Sequence, residues 1–364
     1  MLIRYYSNTK TSFIINFFLL MKKLLFLSVL VALICCFSCK SKNYDNLPAS
    51  LAELNKKIDK SPKNSDLYQL RAEYYYRNNQ TDKALADILH AIKLNNKKST
   101  YYVTLADIYL AKNETDLVEE MLKKAIAIDD SNEAYLKLAE LYLYQYMYKE
   151  SDEVLERAIR LQNHNPKAFL TRAILLRETG DTLGWLRMMQ LVIDQDPNEV
   201  IAYSDLAHYF QERLDPLAIS YYKNALNVSP NNKILNYNLG KLYQDLGALE
   251  MEKGKPFKDV NEFELAKEQY QYLIAIDPRS YPAYNNLGYI ALVYEDNYEE
   301  AVRYFTKAIE IDPEYDQAWC NRGIAYFYLE DWQKARADFL QSRKINPNNE
   351  NAIRELNRLD EMKK

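Results

Sequence analysis

Residues 308–347 read AIEIDPEYDQAWCNRGIAYFYLEDWQKARADFLQSRKINP. The stretch opens on AIEIDP (308–313) and closes on the related SRKINP (342–347), an offset of 34 residues. Between them Trp319, Gly323 and Tyr326 stand at i, i+4 and i+7, which is one face of an α-helix. Ala335 puts a small residue into a second helix, and Pro347 marks its end, because proline cannot continue a helix and restricts the residue before it. The same ending runs back along the chain: AIKLNN (91–96), AIAIDD (125–130), AIRLQN (158–163), VIDQDP (192–197), ALNVSP (225–230) and LIAIDP (273–278). Successive offsets are 34, 33, 34, 33, 48, 35 and 34 residues. A period of this size predicts stacked two-helix units.

The units agree in phase. A small residue recurs in each first helix, at Ala72, Ala106, Ala139, Ala173, Ala207, Gly240, Gly288 and Gly323. Large residues stand four before it, such as Tyr68, Tyr102 and Tyr284, and three after it, such as Tyr75, Tyr142 and Tyr243. Ala84, Ala218, Ala266, Ala301 and Ala335 supply the small residue of the second helix. Ordering one such unit alone would cost roughly 50 kcal/mol of conformational entropy at ~1.5 kcal/mol per residue, so the units must stack. Two departures stand out. Trp185 occupies a small-residue position, so the fourth unit is expected to pack irregularly. The sixth unit carries about 14 extra residues near Ala248–Asn261, expected to lengthen both its helices and to end in a Gly254-Lys255-Pro256 turn.

This pattern of small residues, aromatics and terminal prolines resembles the tetratricopeptide repeat (TPR). The resemblance covers about three quarters of the chain and implies an all-α fold, a right-handed superhelical solenoid of about eight helix-turn-helix repeats with capping helices. The repeats fall at about 65–98, 99–131, 132–165, 166–198, 199–231, 232–279, 280–314 and 315–348, within a TPR domain of 49–364. A helix over Ala49–Lys60 reads as the N-terminal cap. Residues 349–364 form the C-terminal cap, with Ala352, Ile353, Leu356 and Leu359 on one face of a helix over Asn351–Lys363.

The N-terminus carries an address. From Met21 the chain reads MKKLLFLSVLVALICCFSC, a positive n-region at Lys22 and Lys23 followed by an apolar run too short to span a bilayer comfortably. Phe37-Ser38-Cys39 resembles the end of a bacterial lipoprotein signal, in a loose form like that of Bacteroidetes. The resemblance implies a signal peptide over 1–38, with Met21 as the true start, and acylation of Cys39. Residues 39–48 are then a lipidated linker. The protein would sit in the outer membrane facing the periplasm, since Lys40, Ser41 and Lys42 differ from an acidic surface-export signal.

Composition narrows the chemistry. The chain has 47 Lys and Arg against 51 Asp and Glu; losing Arg4, Lys10, Lys22 and Lys23 with the leader leaves 43 against 51. An acidic chain is a poor nucleic-acid binder. With Cys35 and Cys36 in the leader and Cys39 lipidated, Cys320 has no disulfide partner. His90, His164 and His208 fall in different units with no paired carboxylate motif. There is no HExxH, GxSxG or Walker loop. Neither a catalytic set, nor a metal site, nor a cofactor site is expected.

The resemblance places the first helices along a concave groove. Two residues before the small position, the last four units carry Asp205, Asn238, Asn286 and Asn321. These resemble the asparagine ladder of TPR superhelices such as that of O-GlcNAc transferase. A carboxamide both donates and accepts, so it can bridge a peptide unit without reading its side chain. Tyr237, Tyr289, Tyr328 and Lys241 are expected on the same face. The lysine positions of the carboxylate clamp are filled by Gln69, Val103, Leu136, Leu170, Ser204, Tyr237, Asn285 and Cys320, which disfavours acidic chaperone tails. The function so implied is a membrane-anchored scaffold that binds partner proteins or extended peptide segments in envelope assembly, secretion or cell-wall complexes. The alternative is a glycan-binding, SusD-like surface lipoprotein.

Overall fold

A computed structural model describes residues 51–362. The expected leader, Met21, Cys39 and the linker lie outside the described residues. Within them are eighteen α-helices, one short 3-10 turn and no strand. The chain divides into two compact units, one through Trp185 and one from Leu186.

The first unit contains α1 (Leu51–Lys60), α2 (Ser65–Arg77), α3 (Thr81–Leu94), α4 (Ser99–Ala111), α5 (Thr115–Asp129), α6 (Asn132–Tyr144), α7 (Tyr148–Leu161), α8 (Pro166–Glu178) and the start of α9 (Thr182–Gln195). Helices pair as α2 with α3, α4 with α5 and α6 with α7, and each second helix packs on the next first helix. Leu54 and Ile58 bury the inner face of α1. Ala72, Ala84, Ile88, Tyr101 and Ala106 belong to one continuous core cluster, as helices with small facing residues and large flanking ones require.

The second unit continues with α10 (Val200–Gln211), α11 (Leu217–Val228), α12 (Lys233–Glu252), α13 (Glu262–Ile276), α14 (Tyr281–Val293), α15 (Tyr298–Ile311), α16 (Asp316–Tyr328), α17 (Trp332–Ile345) and α18 (Glu350–Glu361). It repeats the same hairpin-on-hairpin packing and ends with α18 against α17 and α16. Here three small slots are glycines, and each faces a ring. A Cβ at Gly240 would lie 2.7 Å from Tyr270, one at Gly288 2.7 Å from Phe305, and one at Gly323 2.6 Å from Phe339. The equivalent second-helix residues of the first three repeats are the aliphatic Ile88, Leu122 and Leu155, and alanine suffices there.

A shared turn joins the helices of most pairs. Asn79, Asn113, Tyr146, Gly180, Leu214 and Glu330 all adopt positive φ. The next residue's N–H then bonds a carbonyl five residues back, as in Gln80 to Tyr75 (2.9 Å) and Asp331 to Tyr326 (2.9 Å). This left-handed cap satisfies carbonyls that the helix end leaves open.

Two expectations change in detail, that for the sixth repeat and that for Ile353, while the irregularity expected at Trp185 coincides with a boundary. Trp185 is 3% exposed on α9, and the boundary between the two compact units falls directly after it. The sixth repeat lengthens only its first helix: α12 has 20 residues, while α13 has 15, the same as α5. Gly254 at φ 91° stops α12, and the connector folds back through buried Val260 and through Phe257, whose ring lies 5.4 Å from that of buried Phe263. In α18 it is Glu355, between Arg354 and Arg358, that joins Ala352, Leu356 and Leu359 inside, whereas Ile353 is 36% exposed. A step of one residue turns Ile353 about 100° away from the Ala352 face.

Candidate functional site

The first helices of the last three repeats and the cap helix converge on one cleft in the second unit. Its volume is about 350 Å³. Helix α12 contributes Lys241, Gln244 and Asp245; α14 contributes Asn285, Asn286 and Tyr289, with Tyr294 just past its end; α16 contributes Gln317, Cys320 and Asn321. Asn349 and Asn351 close it from the start of α18. Seven of the twelve lining residues are carboxamides. First helices stack at the repeat spacing, so one polar position per helix becomes a row.

That row is hydrogen-bonded within itself. Asn321 Nδ2 donates to Asn285 Oδ1 (3.1 Å), and Asn285 Nδ2 donates to Asn286 Oδ1 (3.5 Å). Asn286 Nδ2 donates to the hydroxyl of Tyr270 (3.0 Å) and, at 3.4 Å, to that of Tyr237. Tyr270 in turn donates to Gln244 Oε1 (3.1 Å). Burial holds the Tyr270 phenol well above its ordinary range, so it stays protonated and continues the row. Burial also pushes the Cys320 thiol up to about 12, which leaves it an unreactive part of the wall. Lys241 and Asp245 form an ion pair one helical turn apart.

Of the expected groove residues, Asn286, Asn321, Tyr289 and Lys241 come together here. Tyr237 stands beside the cleft, reaching it through Asn286. Asn238 lies against the phenol of buried Tyr222, which burial pushes up to about 12 while the Asn238 contact opposes the shift. Asp205 is half-buried on α10 and does not line the cleft. Tyr328 is displaced most: it is 50% exposed and stacks on Tyr298 at 5.0 Å and 11°. It sits seven residues beyond Asn321 on α16, about 10 Å farther along the axis. The asparagines also differ from independent brackets, because the amide groups of Asn286 and Asn321 are already engaged with neighbours. The other eight lining residues, Gln244, Asp245, Asn285, Tyr294, Gln317, Cys320, Asn349 and Asn351, lie outside the expected set of site residues. The signal for Asn285 was its adjacency to Asn286; Asn349 serves as the N-cap of α18 and bonds Asp316 Oδ2 at 2.8 Å.

A larger hollow in the first unit, about 510 Å³, is bounded by Asn55, Asp59, Arg71, Tyr75, Lys83, Ala86 and Asp87. Its main polar groups hold one another, since Arg71 bonds both Asp87 and Asn55. His90 packs on Tyr68 at 4.4 Å, while His208 lies 3.4 Å from Glu212 on the exposed side of α10. Among the described residues no three His, Cys, Asp or Glu side chains gather as metal ligands, and no helix is long and apolar enough to cross a membrane.

Comparison with known proteins agrees with the hairpin geometry. Models of the tetratricopeptide repeat match residues 65–98, 99–132 and 317–349, and a TPR repeat model matches 291–329. The C-terminal part of a TPR repeat-containing protein from Cytophaga hutchinsonii superposes with a TM-score of 0.56 at 19% identity, covering 69% of this chain and 98% of that one. The DnaJ homolog subfamily C member 7 homolog of Dictyostelium discoideum is 23% identical over 201 residues, 54% of this chain and 36% of that protein. The Lipoprotein NlpI homolog of Haemophilus influenzae is 30% identical over 98 residues, 27% of this chain and 31% of its own. The chain thus spans about a third of the length of these curated relatives. The fold is an all-α stack of helical hairpins. The hairpins over residues 65–132 and 291–349 match tetratricopeptide repeat models.

Proposed function

We propose that this protein is a TPR scaffold that binds extended segments of partner proteins in the carboxamide cleft, and that lipid on Cys39 holds it at the bacterial envelope, in the outer membrane facing the periplasm. One observation carries the binding part: Asn285, Asn286, Asn321 and Gln244 stand in one row across three successive repeats. A main chain repeats its donors and acceptors, and carboxamides can match both. Tyr289 and Tyr294 add amphipathic surface at the edge. The anchor rests on the Lys-Lys-apolar leader before Ser38-Cys39, and the partial likeness to the Lipoprotein NlpI homolog of H. influenzae is in keeping with it. Among the described residues the cleft sets no nucleophile beside a base, and its row of carboxamides favours binding.

The experiment places a photo-crosslinking residue at Tyr289 and captures partners from native envelope. Captured segments should map to unfolded stretches of a few proteins, and Asn321→Ala should weaken their retention roughly tenfold, as loss of about one hydrogen bond implies. Capture unaffected by Asn321→Ala would move binding off the cleft. In the same cells Cys39→Ala should release the protein from membranes, because acyl chains add ~0.8 kcal/mol of membrane affinity per buried CH₂. A Cys39→Ala protein that stays in the membrane fraction would remove the lipid anchor from the proposal.

A further inference from the structure

We infer that the cleft selects segments without charge, and that its polarity is set by the hydrogen-bonded row on its floor. This rests on the cleft being the partner-binding site. Four consecutive bonds point the same way: Asn321 to Asn285, Asn285 to Asn286, Asn286 to Tyr270, and Tyr270 to Gln244. The row therefore has unlike ends. At one end the Asn321 carbonyl accepts from no group among the described residues. At the other, Gln244 has its carbonyl occupied by Tyr270 and its amide N–H groups left to donate. A segment lying over the row meets an acceptor at the eighth repeat and a donor at the sixth. Main-chain amides and Asn or Gln side chains supply both partners.

The charges around the cleft explain the second half. Its ionisable cation and carboxylate, Lys241 and Asp245, are paired with each other. Behind the wall, Glu355 is held by Arg354 and Arg358. Asp316 is different: amides of Asn346 (2.9 Å) and Asn349 (2.8 Å) hold it. The one cation of the lining, Lys241, is therefore already paired, and Asp316 opposes an acidic side chain. A basic side chain would have to separate the Lys241 pair or reach Asp316 through the amides. Removing a charge from water without a partner is costly, so charged segments lose affinity in either case, acidic ones more.

The test uses the full chain and three labelled, unstructured peptides of equal length. One is built from Ser, Asn, Gln, Gly and Ala, and the others replace several of its residues with Glu or with Lys. Fluorescence anisotropy should rank the neutral peptide first, the lysine peptide next and the glutamate peptide last, with roughly tenfold between the extremes. Neutral binding should change little between low and high salt, unlike an ionic contact. Gln317→Glu adds a carboxylate on an exposed part of the lining without touching the row, and it should move the lysine peptide to first place. Charged peptides that bind wild type as tightly as the neutral one, or an order unmoved by Gln317→Glu, would overturn the selection for neutrality and leave the cleft reading standing. If Tyr289→Ala weakens none of the three, the cleft is not the binding site and both ideas fall.

Discussion

The guanidinium of Arg322 grips the carboxylate of Asp338 with two hydrogen bonds, Nε to Oδ2 at 2.7 Å and Nη2 to Oδ1 at 2.9 Å. Its third arm, Nη1, reaches Thr306 on the preceding helix at 3.0 Å. Arg71 and Asp87 reproduce the arrangement in the first repeat at 2.6 and 2.7 Å, with Asn55 taking the third arm. In both places the arginine precedes the small slot and the aspartate follows the second helix's small residue by three. The clasp joins both helices of a hairpin to the helix before it, in the repeats that adjoin the two capping helices.

Removing one partner of a buried bidentate pair strands the other charge. Arg322→Met is expected to lower stability by about 3–5 kcal/mol. Arg71→Met should cost less, because the first pair is more exposed: 21% and 11% for its side chains, against 14% and 7% for Arg322 and Asp338. Urea denaturation of the two variants measures this, and a larger loss at Arg71 would contradict the ordering.

Gly323 and Phe339 are matched in size. Gly323→Ala should destabilise by roughly 1–3 kcal/mol, despite alanine's better helix propensity, because its Cβ presses into a fully buried ring. Phe339→Leu on the Gly323→Ala background should recover part of the loss. A double-mutant cycle with no coupling between the sites would show that the ring moves aside freely.

Leu214 carries a side chain where φ is 49°, and it is exposed. Leu214→Gly should raise the unfolding midpoint, with a gain on the order of 1 kcal/mol as left-handed strain is relieved. Gly180→Ala, at φ 82° with nothing near its Cβ, should show the opposite sign. Thermal scans of the pair report on the turn alone.

Asp66 sets part of the acid response. A hydrogen bond from Lys98 first, then one from Tyr101, holds its carboxyl below the usual range. Its contribution is therefore complete above the unfolded value of about 3.9 and disappears as pH falls through the lower folded value. The ion pair is about half exposed, so Asp66→Asn should cost under about 1 kcal/mol near pH 7. The variant should also lose less stability than wild type on acidification. Parallel acid limbs in the two titrations would remove Asp66 from that response.

The helical hairpins were legible in the sequence because a period of about 34 residues averages over local ambiguity. Gly240, Gly288 and Gly323 could be recognised as small slots, but not why they are smaller than alanine, since that depends on rings across the hairpin. Asn286 and Asn321 could be placed on one face from their spacing. Asn285 is not legible in this way because it occupies a clamp-lysine position, and its partner Asn321 is 36 residues away. Tyr328 misled because helical angle alone ignores distance along the axis. The extra residues of the sixth repeat gave their number but not their path, which Gly254 and the contact between Phe257 and Phe263 determine.

The fit between glycine and ring also bears on how such an array can be rebuilt. A first helix carrying Gly288 matches a second helix carrying Phe305, and one carrying Ala72 matches one carrying Ile88. A crossover in the turn between the two would leave a void in one product and a clash in the other. A crossover between hairpins moves both members together and keeps each pair intact. The joints at which this chain tolerates recombination, duplication or deletion are therefore the links that follow each second helix, and the natural unit of exchange is the hairpin.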